Sequence, residues 1–141
     1  MAFRILIMGL SGAGKTTLAK KLVDGLKKYE FDVAWFNADD VRELTNNWDF
    51  SAEGRILQAH TLKRMADEAP NDIIVADFIA PLAQQRAIFN PNFIIWVDTI
   101  GSSQYTDTDS VFETPAFVNY YISDWDEQHE ANILHLLLED E

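Results

Sequence analysis

Apolar positions along this chain come in two rhythms that alternate. Short continuous runs, Phe3 to Met8, Asp32 to Phe36, Ile73 to Phe78, Phe93 to Val97 and Phe117 to Ile122, read as strands buried on both faces. Between them, apolar residues recur every three or four positions. Leu18, Leu22, Val23 and Leu26 mark a helix from Thr16 to Leu26, with Lys20, Lys21, Lys27 and Lys28 mostly off the stripe as a solvated face. A short helix is predicted over Asp40 to Thr45. A longer one runs over Ala52 to Ala69, with Leu62, Met65, Ala66 and Ala69 inward and Pro70-Asn71 closing it. A further helix contains Gln84, Gln85 and Arg86. Ser123-Asp124-Trp125-Asp126-Glu127 supplies a cap and first-turn acids for a last helix that turns Ile133, Leu134, Leu137 and Leu138 inward. Residues 101–115, rich in Gly, Ser, Thr and Asp, read as a loop. Strand and helix in alternation predict an α/β domain: a parallel sheet of about five strands with helices on both faces, in three layers. No repeat, low-complexity tract or linker divides the chain, so residues 1–141 are expected to form one domain.

Composition narrows the chemistry. There is no cysteine, which removes disulfides, zinc-thiolate sites and cysteine nucleophiles. No run approaches membrane-spanning length, and the first apolar run leads straight into a glycine-rich segment that cleavage of a signal peptide would destroy, so the expected location is cytoplasmic. The net charge of −12 argues against nucleic acid or an anionic membrane as partner. Its distribution is more informative. Residues 1–86 hold all 11 Lys and Arg against 12 Asp and Glu, whereas residues 87–141 hold none against 11. Any polyphosphate substrate must therefore be received by the first 86 residues.

That stretch contains Gly9-Leu10-Ser11-Gly12-Ala13-Gly14-Lys15-Thr16, with a second hydroxyl at Thr17, between the first strand and the first helix. The spacing is that of a phosphate-binding P-loop. Glycines let successive N–H groups turn inward at a helix N-terminus and cradle a phosphate, Lys15 reaches the β- and γ-phosphates, and Thr16 ligates Mg²⁺. ATP and Mg²⁺ are thus the expected cofactors, and Lys15 a catalytic residue. The second strand ends in Asn37-Ala38-Asp39-Asp40-Val41-Arg42, an acidic cluster with one arginine, where open α/β sheets bind their ligands. Asp39 and Asp40 also read as ordinary first-turn helix acids. The third strand ends at Asp77, in the pattern of an acid that holds Mg²⁺ or its water, but Asp98 ends the fourth strand in the same way. His60, His129 and His135 share no metal-ligand spacing with a carboxylate and are assigned to packing or solvent.

Taken together, these segments resemble the adenylylsulfate (APS) kinases, a family of P-loop kinases that phosphorylate the 3′-hydroxyl of APS with MgATP. Besides the loop, Asn37-Ala38-Asp39-Asp40-Val41-Arg42 is similar to that family's Asp-Gly-Asp-Asn-Val-Arg, and Phe50-Ser51, Arg55 and Phe78-Ile79-x-Pro81 recur in order. Residues 106–115 also look like its Thr-Gly-Ile-Asp-x-Pro-Tyr-Glu-x-Pro segment. The resemblance implies that Asp39 serves the acceptor hydroxyl; Thr16, Asp39 and Asp77 are the expected metal residues, Asp77 from its place at the end of the third strand. It further implies that Arg42 and Arg55 hold the sulfate-phosphate group, Phe50 stacks on the acceptor purine, Asn46 bonds nearby, Gln58 lies on the acceptor side, and Phe78, Ile79 and Pro81 wall the pocket. Read from residue type alone, Phe50 is equally a core aromatic and Arg86 equally a surface ion-pair partner, and the surface reading is the lesser alternative for Arg55.

The departures from the family's pattern are specific. Asn37 and Ala38 stand for Asp and Gly, Gln58 and His60 for Asn and Arg, Asp77 for a serine before Phe78, and Ala80 for another serine. The expectation is that Asp77 takes over positioning lost with Asn37. Where the family carries an Arg- and Lys-rich lid, only Gly101-Ser102-Ser103-Gln104 remain. Another nucleotide, nucleoside or sugar hydroxyl as acceptor, and a nucleotide-binding regulatory module with little catalysis, stay open beside APS. Trp48, Trp125, Tyr120 and Tyr121 read as interface, core or pocket residues, a homodimer being one assembly they leave open.

Overall fold

The computed structural model describes residues 2–103 and 105–139. In chain order the elements are β1 (Phe3–Met8), α1 (Lys15–Lys28), β2 (Val33–Asn37), α2 (Ala38–Thr45), α3 (Ala52–Glu68), β3 (Ile73–Asp77), α4 (Ala83–Phe89), β4 (Phe93–Val97), α5 (Thr106–Val111), β5 (Tyr120–Ile122) and α6 (His129–Glu139). Gln104 of the shortened segment, and Asp140 and Glu141 at the end of the last helix, lie outside the described residues. No helix among the described residues is long and apolar enough to cross a membrane.

The five strands form one parallel sheet in the order β2-β3-β1-β4-β5. Alternation along β1 divides its side chains between two cores. Ile5 and Ile7 pack with Leu18, Leu22 and Leu26 of α1 and Ile133 of α6, while Leu6 and Met8 pack with Val41 of α2, Leu62 and Ala66 of α3 and Phe89 of α4. Helices α1 and α6 therefore cover one face and α2, α3 and α4 the other. Because β1 is flanked by β3 and β4, the chain leaves β1 at the switch point of the sheet, where open α/β folds form their ligand crevice.

The structure departs from sequence expectation in the last third. Residues 101–115 contain the helix α5, which at six residues has no stability of its own. It is held from outside: Thr108 is buried and its hydroxyl accepts from Arg55 Nη2 at 2.8 Å, and the Asp109 carboxylate accepts from Ser103 N and Oγ, both at 2.7 Å. The fifth strand is shorter than its apolar run. Asn119 Oδ1 accepts from Ile94 N at 2.8 Å and leaves Phe117, 69% exposed, outside the ladder. The last helix starts later than its acids suggest: Asp126 Oδ1 accepts from Gln128 N at 2.8 Å in a turn that holds Glu127 and Gln128 outside the helix, which begins at His129.

Candidate functional site

The phosphate loop is held from behind by the β4 side of the sheet. A Cβ on Gly9 would lie 2.3 Å from the Val97 carbonyl oxygen, so only glycine fits where β1 gives way to the loop at φ +151. Thr99 Oγ1 donates to Ala13 O at 2.8 Å, and Ala13 N closes a turn on Leu10 O at 3.1 Å. Gly14, at φ +105, ends the loop as the N-cap of α1 with no side chain capping it, and Gly14, Lys15, Thr16 and Thr17 at the helix start line the crevice. Lys15 folds back so that Nζ donates to Leu10 O at 3.0 Å. Burial lowers its pKa from 10.5 to about 8, with the carboxylates of Asp77 and Asp39 opposing the shift.

In front of the loop lies a cleft of about 310 Å³. One wall is a polar cluster built by strand register, since Asn37 of β2 pairs with Asp77 of β3. Asp77 is 2% exposed, and its carboxylate accepts from Thr16 Oγ1 at 2.8 Å, Trp35 Nε1 at 3.1 Å and Asn37 Nδ2 at 3.1 Å. Burial raises its pKa against the pull of these donors and of Lys15. Asn37 also caps α2, its Oδ1 accepting from Asp40 N at 3.2 Å, which fixes the amide with its nitrogen toward Asp77 and Thr16. Asp39 sits exposed in the first turn of α2 and lines the cleft, within electrostatic reach of Lys15 and Arg42. Among the described residues no three His, Asp or Glu side chains converge as a metal cage. The Thr16 hydroxyl backed by a carboxylate nevertheless suits Mg²⁺, which takes one or two protein oxygens beside substrate phosphates.

The opposite wall carries two arginines and an aromatic ring. Arg42 and Arg55 are each 4% exposed, so both are buried in the cleft wall and not side chains of the open surface. Arg42 Nη1 donates to Asn47 O at 2.8 Å, and Arg55 Nε to Phe50 O at 2.7 Å. Burial, and then the neighbouring Arg55, lower the Arg42 pKa. Phe50 is 52% exposed and therefore not a core residue; its ring lies 4.4 Å from the Arg42 guanidinium carbon. The turn after β3 completes the cleft with Phe78, Ile79, Ala80 and Pro81. Arg86, also buried, pins this turn by donating to Ala80 O at 2.8 Å and Pro81 O at 3.2 Å, and reaches Glu113 O as well.

Of the residues expected from sequence, the cleft gathers Ser11, Gly12, Gly14, Lys15, Thr16, Thr17, Asp39, Arg42, Phe50, Arg55, Gln58, Asp77, Phe78, Ile79 and Pro81. Gly9, Leu10 and Ala13 shape the loop from behind instead of lining it. Asn46 does not reach the cleft; it is the exposed, left-handed C-cap of α2 at φ +53. Sequence reasoning missed Gln85, which is 1% exposed, lines the cleft and donates to Arg55 O at 3.2 Å, and Trp35, which orients Asp77. Neither carries a local signal, since a glutamine in a helix and a tryptophan in a strand both read as ordinary.

The model of the family described as adenylylsulphate kinase matches residues 1–94. A curated relative, the probable adenylyl-sulfate kinase of Archaeoglobus fulgidus, is 35% identical over 89 residues, covering 61% of this chain and 57% of its own length. This chain thus matches little more than half of that relative. Among solved structures, the APS kinase of Mycobacterium tuberculosis in complex with AMPPNP and APS superimposes with a TM-score of 0.84 at 20% identity, over 97% of this chain and 98% of that one. The hexameric APS kinase of Thiobacillus denitrificans gives 0.77 at 26% identity, over 99% of this chain but 29% of that one.

Proposed function

This chain belongs to the adenylylsulfate kinase family, and from that premise we propose that it transfers the γ-phosphate of ATP to the 3′-hydroxyl of APS. The observation that carries the reading is the single cleft in which Lys15 and Thr16 of the phosphate loop face Asp39, Arg42, Phe50 and Arg55. Phosphoryl transfer asks mainly for positioning and charge stabilisation, and this cleft offers both. The loop N–H groups and Lys15 hold the β- and γ-phosphates; a phosphate on Lys15 replaces the Leu10 carbonyl and compensates the burial that lowers its pKa. Asp39 orients the acceptor hydroxyl and takes its proton. Arg42 and Arg55 receive the acceptor's anionic group, while Phe50, already against Arg42, offers its exposed ring to the purine.

Thr16, with Asp77 behind it and Asp39 across the cleft, would hold Mg²⁺, which when bound offsets the charge that develops between the phosphates. Asp77 keeps the Thr16 hydroxyl proton turned away from the cleft, so an oxygen lone pair is presented to the cation.

The test is acceptor-dependent ADP release from MgATP with a panel of hydroxyl compounds that includes APS. Release confined to APS is expected. Release with a different acceptor alone would transfer the activity to that substrate, and tight ATP binding without transfer to any would mark a regulatory module. Asp39→Asn is expected to lower turnover by about 10²-fold or more while ATP affinity is kept. Asp77→Asn is expected to raise the Mg²⁺ concentration needed for half-maximal rate several-fold, and an unchanged Mg²⁺ dependence would remove Asp77 from the mechanism.

A further inference from the structure

On the reading that Arg55 receives the acceptor's anionic group, we propose that Thr108 is the positioning residue that aims it: through this hydroxyl, α5 and its flanks act as a strap that fixes the Arg55 guanidinium in the cleft wall. The way α5 docks points to this. Its apolar side chain, Val111, is 42% exposed, while Thr108 is 5% exposed. A six-residue helix held by packing would bury the valine and leave the hydroxyl in water, because a buried hydroxyl without a partner is costly. Here the order is inverted, and the partner of the buried hydroxyl is a cation 53 residues earlier in the chain: Arg55 Nη2 donates to Thr108 Oγ1 at 2.8 Å. The helix therefore docks through the arginine.

Arg55 is held from more than one side. Its Nε donates to Phe50 O at 2.7 Å, in the loop before α3, while α5 holds Nη2. Its backbone is tied as well: Gln85 Nε2 donates to Arg55 O at 3.2 Å, and Gln85 Oε1 accepts from Leu82 N at 3.1 Å. Two nitrogens of a planar fork bonded to separate elements fix the plane of the guanidinium, so an anion entering the cleft meets this charge in one orientation. An arginine free to turn would instead lose rotamer entropy on binding. The strap is fastened on both sides of Thr108. The Asp109 carboxylate accepts from Ser103 N and Oγ, and Glu113 N donates to Pro81 O at 2.7 Å while its Oε1 accepts from Ala83 N at 2.9 Å. The strap thus links the Arg55 guanidinium to the turn that walls the acceptor side of the cleft.

Steady-state kinetics of the full chain, varying APS at saturating MgATP and then the reverse, separate aim from packing. Thr108→Val keeps the shape of the side chain and removes its hydroxyl. It should raise the APS KM by about tenfold and leave kcat and the ATP KM within about twofold of wild type, the pattern of lost acceptor binding. Thr108→Ala should do the same, whereas Thr108→Ser, of nearly the same size but with a hydroxyl, should restore most of the APS KM. The Ala and Ser pair carries the comparison by itself where Thr108→Val does not fold. In an Arg55→Ala background, Thr108→Val should add no further loss. An APS KM unchanged without the hydroxyl, an equal loss in kcat or the ATP KM, a Thr108→Ser variant as impaired as Thr108→Ala, or an additive loss in the Arg55→Ala background would overturn the strap and leave the acceptor reading standing. Wild-type protein without APS-dependent ADP release would instead overturn that reading, and the strap with it.

Discussion

Residues 1–86 and residues 87–141 serve the same cleft by different means. The first part holds every Lys and Arg, and from it come Lys15, Asp39, Arg42, Arg55 and the hydrogen-bonded pair of Thr16 with the buried Asp77. The second part has no cation and 11 acids, yet it reaches the phosphate loop through the Val97 carbonyl behind Gly9, the Thr99 hydroxyl on Ala13 O, the Ile100 side chain beside Gly12 and the Trp125 indole on Gly14. Charge enters from one side of β1 and shape from the other. An acidic segment can sit beside an anion site only if it approaches through uncharged groups, and those are the groups it presents. The contrast also explains how the cleft manages with no cation after Arg86. Its positive groups are desolvated, Lys15 to a pKa of about 8 and Arg42 below its ordinary value, so each acts with less screening than a surface charge.

The contrast can be broken from either side. Lys15→Ala should have the largest effect, abolishing ADP release, a loss of at least about 10³-fold, with no fall in thermal stability, because the side chain contributes charge and little packing. Residual turnover within tenfold of wild type would mean that positive charge reaches the phosphates from elsewhere. Gly9→Ala tests the shape side. Its Cβ meets a backbone oxygen that cannot move aside, at a φ unfavourable to alanine, and denaturant unfolding should show a loss of roughly 2–5 kcal/mol. Stability equal to wild type would show that the sheet does not hold the loop from behind. The smallest effect concerns protons. Lys15 must be charged to hold phosphate, so ATP affinity should be level below about pH 8 and fall above it by up to about tenfold per pH unit. Stability of the unliganded protein moves the other way. Folding depresses this pKa below its unfolded value, the unfolded chain binds more protons between about pH 8 and 10.5, and the contribution of Lys15 to stability therefore rises across that window. An ATP affinity flat to pH 10 would contradict the desolvated lysine.

Much of this could be read from the chain. Five strands, the loop at the end of the first, the acidic turn at Asp39 and the uneven charge all follow from local pattern. Each depends on residues within a few positions of one another, and backbone geometry converts such spacing directly into a strand, a helix or a phosphate-binding turn. Arg55, Phe50, Trp125 and the short helix α5 were ambiguous or misread because their character depends on distant partners. Arg55 is buried where the Thr108 hydroxyl, far along the chain, accepts its hydrogen bond; Phe50 is exposed with two arginines beside its ring; α5 is held by Arg55 and Ser103. The strand order β2-β3-β1-β4-β5 is what sets Asn37 level with Asp77, brings Thr16 within 2.8 Å of that carboxylate, and lays Trp125 against Gly14. Periodicity along the chain determined which elements form, while strand order and register, which no local spacing encodes, decided which polar groups and rings meet around the phosphate loop.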